Sequence, residues 1–162
     1  MNAPRIRVPA LTDARLRITG AENIYLCVVR RAVPGDRVQL FDGRGGAADA
    51  RVVAIDRDGC DLAIERRFDE PAARPQVTAL VPLIKGERMD ECIEKLTEVG
   101  VDAIVVFAAH HAVVRLPAEK VAARVSKLNA IASAASRQSR RAIEPTVRGV
   151  SSLTEALHTS AP

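Results

Sequence analysis

Two sets of polar residues in the second half of the sequence have types and spacings that could serve a chemical site. Lys95 and Glu98 lie three residues apart in a segment with helical periodicity, a separation that also allows an ordinary surface ion pair worth about 0.2–0.5 kcal/mol. Gln138 and Arg141 continue the apolar stripe of a second predicted helix. Because a buried donor without a partner costs about 1–3 kcal/mol, these two side chains either hold a polar group or meet solvent where the stripe ends.

Other motifs for catalysis or metal binding are weak. The stretch FDGRGG (41–46) has the glycines of a phosphate loop, but it lacks the Gly-Lys-Ser/Thr ending and no predicted helix follows it, which favours a hairpin turn. His110 and His111 are adjacent, and a regular strand cannot direct both imidazoles at one metal ion. The sequence has no Ser, His and Asp arrangement with a nucleophile elbow, so it does not favour hydrolysis.

Basic residues concentrate in the last third of the chain. The formal net charge is +4, yet between Lys120 and Arg148 seven basic residues stand against a single acid, Glu144. A cluster of this kind attracts polyanions such as nucleic acid, although a run of charge can equally be the solvated face of a helix. Charge alone therefore leaves both interpretations open.

The composition predicts a soluble protein that is not exported. Hydrophobic residues make up 48% of the 162 residues and aromatic residues only 2%, so Val, Ile, Leu and Ala must build the cores. Membrane spans need roughly 18 apolar residues, no run approaches that length, and the first twenty residues lack a signal-peptide segment, which predicts a cytoplasmic location. Cys27, Cys60 and Cys92 lack metal-ligand spacing and are predicted to be buried, reduced thiols.

Alternating apolar and polar residues predict a small β-barrel in the first 70 residues, with turn signals such as Asp58-Gly59 between the runs. Six strands are predicted: RIRV (5–8), RLRI (15–18), IYLCVV (24–29), RVQLF (37–41), ADARVVAI (48–55) and CDLAIE (60–65). The stretch FDEPAARPQ then interrupts the periodicity, and we place the domain boundary there, giving domains 1–72 and 73–162.

In the second half, strand and helix patterns alternate, which predicts a parallel sheet with crossover helices. VTALVPLI (77–84) and AIVVF (103–107) are predicted to be buried strands. One helix is predicted to end at Gly100 and a longer one near residues 141–143. Their apolar stripes are Met89, Cys92, Ile93, Leu96 and Val99 in the first, and Val121, Val125, Leu128, Ala132 and Ala135 in the second.

Four stretches follow one another in an order and spacing that match a known family. They are PRIRVP (4–9), VVRRAVPGDRVQLFDGRG (28–45), KGERMDECIEKLTEVGV (85–101) and RQSRRAIEP (137–145). These stretches resemble the RsmE family, the methyltransferases that modify N3 of a uridine in 16S ribosomal RNA. The combination of KG-x-RM with K-x-TE-x-GV is the specific part, and the resemblance covers the whole chain.

The resemblance implies an α/β fold class with a β-barrel. It implies an N-terminal PUA-like RNA-binding barrel, followed by the first part of a SPOUT domain, whose parallel sheet is completed by a C-terminal knot. It further implies S-adenosylmethionine as the cofactor, 16S ribosomal RNA or the small ribosomal subunit as the partner, and a homodimer with each active site near the subunit interface. No membrane partner is expected.

The resemblance also implies roles for individual residues. Basic side chains implied to bind RNA are Arg5, Arg7, Arg30, Arg31, Lys85, Arg88 and Lys95. Glu98, Gln138 and Arg141 are predicted to hold the substrate side of the catalytic site, with Arg141 stabilising the charge that develops on the base. The reaction requires an unstacked uracil, removal of the N3 proton and alignment with the donor methyl group.

The sequence departs from the family at several positions. Tyr25 stands where members often have His, His111 where they often have Arg, and Arg137 where Glu is usual. The larger departure is that no stretch resembles the later GPEGG-type loop or the closing LG-x-x-x-LR-x-E-T segment, which together form the knot and the donor pocket.

These missing motifs lead to three expectations. The cofactor-binding residues are expected C-terminal to Pro162, the chain by itself is expected to be inactive, and apolar strand edges on AIVVF and VTALVPLI are expected to lie uncovered. The alternative function, from another class, is a non-catalytic RNA-binding module that lacks the donor-binding knot.

Overall fold

The computed structural model describes residues 3–71, 75–109, 118–150 and 152–160. The chain divides into two compact units, residues 1–72 and 73–162. Each unit has a separate cluster of buried aliphatic side chains, so each can be understood as an independently packed body.

The first unit is a half-barrel built on one five-stranded sheet. Its strands are β1 (Arg5–Arg7), β2 (Arg15–Ile18), β3 (Arg37–Phe41), β4 (Gly46–Ile55) and β5 (Cys60–Asp69). They lie in the order β1-β3-β4-β5-β2, in which β1 and β3 are parallel and the other neighbours antiparallel. Five of the six predicted strands are therefore confirmed.

Alternation places one face of each strand in the core of this unit. In β3 the side chains of Val38 and Leu40 are buried, while Arg37 is exposed. Val52 of β4 lies opposite Leu62 of β5, and both side chains are buried in the same cluster. Each such aliphatic side chain contributes about 1.5–3 kcal/mol on burial, which explains how the unit forms a core with few aromatic residues.

The predicted strand IYLCVV is wrong, because residues Ile24–Val29 form a π-helix that continues a short helix, α1 (Gly20–Asn23). The Arg30 N–H donates to the Tyr25 carbonyl, 2.9 Å away, which is the five-residue spacing of a π-helix. Only Leu26 is fully buried, and three aliphatic side chains of the segment are 56–67% exposed. A short apolar run does not distinguish strand from helix by periodicity.

The FDGRGG stretch (41–46) forms the predicted hairpin turn between β3 and β4. The Asp42 carboxylate accepts hydrogen bonds from the backbone N–H groups of Arg44, at 2.8 Å, and Gly46, at 3.0 Å. Gly45 has a φ of 110°, a conformation that side chains rarely allow. The glycines of this stretch therefore serve the turn.

The second unit contains a sheet of three parallel strands in the order β6-β7-β8. They are β6 (Thr78–Pro82), β7 (Ala103–Phe107) and β8 (Thr146–Val150). The two predicted strands are confirmed, but β8 was not predicted. Because β7 pairs with β6 on one side and β8 on the other, the expectation that AIVVF would have an uncovered edge is wrong.

The edge of β8 that does not pair with β7 is contacted by a helix side chain, Asn129. The Asn129 amide donates to the Val147 carbonyl at 3.0 Å, and its oxygen accepts from the Val147 N–H at 3.2 Å. A side-chain amide therefore satisfies backbone groups that would otherwise face outward from the strand.

Within the described part of this unit, three helices accompany the sheet: α2 (Glu87–Glu98), α3 (Ala118–Ser139) and α4 (Leu153–Ser160). Helices α2 and α3 contribute their predicted stripes to one buried cluster. Its fully or nearly fully buried members are Met89, Ile93, Leu128 and Ala132 from the helices, with Ile104 and Val147 from the sheet. The 3.6-residue periodicity was therefore a reliable guide to which helix faces are buried.

The end of α2 differs from the prediction at one stripe position. Val99 is 79% exposed because it lies just beyond the last helical turn. Thr97 is buried instead, and its hydroxyl donates a hydrogen bond to the Ile93 carbonyl at 2.8 Å. Gly100 follows with a φ of 100°, which confirms the predicted glycine stop.

The end of α3 has the same type of turn with an arginine in the glycine position. The Arg141 N–H donates to the Ser136 carbonyl at 2.9 Å, which is the long bond of a Schellman motif. Arg140 takes the left-handed position with a φ of 62°, at a cost of about 1 kcal/mol. Helix α3 therefore ends at Ser139, slightly before the predicted residues 141–143.

Candidate functional site

The three predicted catalytic residues lie at the amino edge of the parallel sheet, where its strands begin. Helix α2 ends just before β7, which places Glu98 at this edge. Helix α3 ends just before β8, which places Gln138 and Arg141 there as well. The fold therefore brings residues 40 positions apart in the sequence to one edge of the second unit.

Lys85 and Arg88 lie at the opposite, carboxyl edge, where β6 ends and α2 begins. Arg88 and Glu98 are ten positions apart in α2, which is about 15 Å along the helix axis. In open α/β sheets ligands bind outside the carboxyl ends of the strands. The structure thus divides the predicted set between two edges and places the basic pair at the edge where ligands usually bind.

Arg141 uses its guanidinium group to hold the amino edge together. One terminal nitrogen donates to the Thr97 carbonyl at 2.9 Å and to the Val101 carbonyl at 2.8 Å. The other lies 3.8 Å from the Asp102 carboxylate, and both side chains are only 16% exposed. Burial lowers the pKa of Arg141, while the charge of Asp102 opposes this shift. The group remains a cation and neutralises the carbonyl end of α2.

Asp102 extends this arrangement to the neighbouring strands. Its carboxylate accepts from the Val77 N–H at 2.8 Å, immediately before β6. Its carbonyl accepts from the Thr146 N–H at 3.2 Å, at the start of β8. Arg141 and Asp102 together therefore connect the end of α2 with the first residues of all three strands.

Glu98 and Gln138 are more accessible than Arg141. The Glu98 side chain is 27% exposed and pairs with Lys95 at 2.9 Å, and this hydrogen bond raises the pKa of Lys95. Lys95 and Gln138 are exposed. The surface ion pair considered from the spacing of Lys95 and Glu98 is thus present, and the carboxylate lies on the solvent side of the edge.

An ion-pair cluster near the carboxyl edge joins α2 to α3. Asp90 lies 2.6 Å from the Lys127 ammonium and 3.0 Å from the Arg124 guanidinium. Arg124 also donates to the Gly86 carbonyl at 3.4 Å. The Lys127 hydrogen bond, aided by the charge of Arg124, lowers the pKa of Asp90. Part of the basic cluster found in the sequence therefore has a structural role.

Arg5 does not face solvent as the resemblance implied. It is 4% exposed, and its guanidinium donates to the side chains of Gln39 and Glu70, each at 3.3 Å. It also lies 5.0 Å from the centre of the Phe41 ring. A buried cation needs such partners, so Arg5 belongs to the core of the barrel.

The other barrel arginines of the predicted set are more accessible. Arg7 is half-buried, and Arg30 and Arg31 are exposed just after the π-helix. Arg31 has a φ of 54°, which is a left-handed conformation. These three residues can reach a ligand from the first unit, whereas Arg5 cannot without leaving its pairs.

The first unit contains a cavity of about 300 Å³ that no sequence pattern predicted. Its lining combines apolar side chains with charged ones: Arg7, Val8, Pro9, Leu16, Arg17, Ile18, Thr19 and Glu22. The two carboxylates of Asp56 and Asp61 bind Arg17 and raise its pKa. The alternation of RLRI could have placed Arg15 and Arg17 on one face, but only the fold forms the cavity.

Some sequence predictions fall outside the structural description. His110 and His111 lie outside the described residues.

All three cysteines are free, and burial raises the pKa of the Cys60 thiol to about 12. Within the described ranges, no helix has both the length and the apolar character needed to cross a membrane.

Comparison with protein families assigns both units. Residues 71–162 match the RNA methyltransferase domain, and residues 18–65 match the RNA methyltransferase PUA domain. The chain belongs to the RNA methyltransferase family. The predicted RsmE-type resemblance and fold class, a PUA-like domain followed by a SPOUT-type parallel sheet, are confirmed.

Relatives of this chain carry the name predicted from the motifs. The chain is 36% identical over 139 residues to the ribosomal RNA small subunit methyltransferase E of Mycobacterium bovis, and the alignment covers 86% of this chain and 53% of the relative. The Bacillus subtilis protein of the same name is 28% identical over 141 residues. The chain spans about half the length of the curated relatives it matches.

Solved structures of related RNA methyltransferases have the same architecture. The ribosomal RNA small subunit methyltransferase E of Neisseria gonorrhoeae, bound to S-adenosylmethionine, aligns with a TM-score of 0.83 and 29% identity, over 99% of this chain and 67% of that one. A probable rRNA methyltransferase of Porphyromonas gingivalis aligns with a TM-score of 0.80 and 28% identity, over 98% and 64%.

Proposed function

We propose that the protein methylates N3 of a uridine in 16S ribosomal RNA, with S-adenosylmethionine as the methyl donor. The observation that carries this proposal is the presence, in one chain, of a PUA-type segment followed by an RNA methyltransferase segment. Relatives named for the small ribosomal subunit are similar over 86% of the chain. We assign the activity to the whole protein, of which this chain supplies the barrel and part of the methyltransferase domain.

The donor supplies an electrophilic methyl group, and the residues described at the carboxyl edge do not by themselves fit it. Lys85 and Arg88 are exposed cations that suit phosphate better than the adenine and ribose of S-adenosylmethionine. We therefore assign the donor to none of the described residues.

Contacts with the RNA backbone are proposed for accessible cations on each unit. Arg7, Arg30 and Arg31 serve this role on the barrel, and Lys85, Arg88 and Lys95 on the second unit. Guanidinium groups can hold phosphate with two hydrogen bonds, and every contact of this kind releases counterions. The exposed positions of all these residues except the half-buried Arg7 support the proposal. Arg5 is left out because its side chain is buried in the barrel.

Glu98, Gln138 and Arg141 remain the proposed residues for the substrate side of the site. For Arg141 the geometry favours positioning over direct contact, because its guanidinium already binds two carbonyl oxygens and lies beside Asp102. In this role it fixes the end of α2, and thereby the accessible carboxylate of Glu98. Direct stabilisation of charge on the base stays a prediction.

The assembly and location follow from the same proposal. We propose a homodimer, as the resemblance implies, and light scattering on the purified protein measures its mass directly. A ribosomal RNA substrate would place the protein in the cytoplasm.

The natural protein, incubated with small ribosomal subunits and methyl-labelled S-adenosylmethionine, is expected to transfer label to 16S ribosomal RNA. A methyl group on N3 blocks base pairing, so reverse transcription should stop one nucleotide before a single uridine. A stop at another type of base, or label in protein only, would refute the proposed substrate. RNA binding without donor binding or transfer would instead favour the non-catalytic RNA-binding module.

A further inference from the structure

The cavity of the first unit combines buried apolar side chains with accessible polar ones. Val8 and Ile18 belong to the barrel core and are 2% and 5% exposed, and Leu16 packs against the same core. Arg17 and Thr19 add a guanidinium group and a hydroxyl to the lining. Pockets that bind small ligands have this composition, and a volume of about 300 Å³ lies at the lower end of their range.

The guanidinium group of Arg17 is held in one position by its edges. One terminal nitrogen donates to both carboxylate oxygens of Asp56, at 2.7 and 2.8 Å, and the other donates to Asp61 at 3.0 Å. The Asp56 carboxylate is fixed in turn, because it accepts from the backbone N–H groups of Asp58 at 2.8 Å and Gly59 at 3.0 Å. A guanidinium group bonded in this way keeps its flat faces for stacking.

Gly59 allows the turn that contains Asp56 to lie against β2. A Cβ atom at position 59 would be 2.7 Å from the Ile18 carbonyl oxygen and 3.1 Å from the central carbon of the Arg17 guanidinium. Side chains essentially never approach a backbone oxygen so closely, so any other residue would displace the turn from the strand. The glycine therefore preserves the contact that fixes Arg17.

The pairing with two carboxylates makes Arg17 a poor ligand for phosphate. Asp56 and Asp61 together bring two negative charges to one guanidinium group. Glu22 adds another carboxyl group to a lining that also contains Arg7. A phosphate would enter this cavity against carboxylates, so the cavity suits an uncharged polar ligand better.

Thr19 offers a hydroxyl to such a ligand. It is the N-cap residue of α1, but its side chain makes no capping hydrogen bond. A hydroxyl can both donate and accept, as the edge of a nucleobase can.

The stacking surface identifies the class of ligand. Proteins bind unstacked RNA bases on aromatic rings or on the planes of arginine side chains. The described residues that line the cavity include no aromatic side chain, so the plane of Arg17 is the surface on which a base can stack.

We infer that the cavity binds one unstacked base of the RNA, with the base stacked on the guanidinium plane of Arg17 and its edge bonded to Thr19. This inference rests on the proposed function, since ribosomal RNA supplies the base. The cavity belongs to the first unit and the proposed catalytic residues to the second, so we assign it to a base other than the methylated uridine.

The test uses Arg17→Lys and Thr19→Val in the 162-residue chain, with affinity for transcribed 16S ribosomal RNA measured at several salt concentrations. Lysine keeps the charge beside the two aspartates but has no planar group, and valine keeps the shape of threonine but has no hydroxyl. Each change is expected to lower the affinity several-fold. The slope of log K against log salt is expected to stay unchanged, because no phosphate contact is lost.

Arg15→Lys is the matched control. Arg15 is an exposed arginine on the same strand, two residues before Arg17, and it does not line the cavity. Its RNA affinity is expected to equal that of the unmodified chain. Thermal unfolding checks that each variant is folded, and Thr19→Val alters only an exposed side chain, so it tests the cavity without disturbing the ion pairs of Arg17.

Free ribonucleosides are the other source of a ligand with this chemistry. Calorimetric titration of each of the four into the unmodified chain measures their binding. If a nucleoside binds while Arg17→Lys and Thr19→Val leave the RNA affinity unchanged, the cavity serves a free nucleoside and the inference is overturned.

The remaining outcomes are distinct. Weaker RNA binding by both variants at an unchanged salt slope supports the inference. A shallower slope for Arg17→Lys or Thr19→Val assigns the cavity to a phosphate, which overturns the inference and leaves the proposed function standing, as does an RNA affinity that neither variant changes. Failure of the unmodified chain to bind RNA at all overturns both.

Discussion

At the scale of the residue, the position of Arg141 changes the role expected for it. Its sequence pattern and the family resemblance predicted that the guanidinium stabilises the charge that develops on the base. The folded chain shows the same group bonded to the carbonyls of Thr97 and Val101 and placed beside Asp102. A donor that satisfies buried carbonyls is costly to remove, so Arg141 has a structural effect whatever its part in the reaction.

The substitution Arg141→Ala tests the structural role of this side chain. The change should lower the free energy of unfolding of the second unit by about 2–3 kcal/mol, because two hydrogen bonds from a charged donor are lost. Urea unfolding measures this, with the exposed Gln138→Ala as the control. Unchanged stability would mean that the carbonyls are satisfied without Arg141, and would favour direct contact with the substrate.

At the scale of the element, helices α2 and α3 are held by both packing and charge. Their apolar stripes share one cluster, and Asp90 of α2 pairs with Arg124 and Lys127 of α3. Periodicity predicted the stripes because it depends only on local geometry. The ion pairs join residues 34 to 37 positions apart, and only the packing of the two helices determines which charges meet.

The Asp90 pair predicts a specific pH dependence. The folded-state pKa of Asp90 lies below its ordinary value of 3.8, so the pair stabilises the fold above that pH, and the stabilisation is lost as the pH falls through the folded-state pKa. Asp90→Asn should cost about 1 kcal/mol at pH 7 and progressively less below pH 3.8. Thermal unfolding from pH 7 to pH 2 measures this, with the exposed Glu91→Gln as the control. A constant difference across that range would contradict the assignment.

At the scale of the whole molecule, the chain is two units with separate cores. Leu40 lies in the cluster of the first unit and Ile104 in that of the second, and both are fully buried. Truncating either to alanine removes packing from one cluster only. A core truncation of this kind costs about 2–5 kcal/mol.

Independent cores predict independent loss of protection. Leu40→Ala should accelerate amide hydrogen exchange within residues 3–71, and Ile104→Ala within the second unit, because exchange follows the stability of each cooperative body. Mass spectrometry of peptides resolves the two regions, with the exposed Arg57→Ala as the control. If either change lowers protection throughout the chain, the two units unfold as one.

The sequence by itself determined the family, the five confirmed barrel strands, the two predicted strands of the second unit and the buried faces of α2 and α3. These features follow from short-range periodicity, turn chemistry and motif spacing, which need no knowledge of the fold. Tertiary structure decided that IYLCVV is helical, that TVRGV is the third parallel strand and that Arg5 is buried. It also placed Glu98 and Arg141 at the amino edge of the sheet, away from Lys85. These outcomes depend on which distant groups form hydrogen bonds with one another, such as Arg5 with Glu70 and Arg141 with Thr97. Local sequence patterns do not predict such pairing.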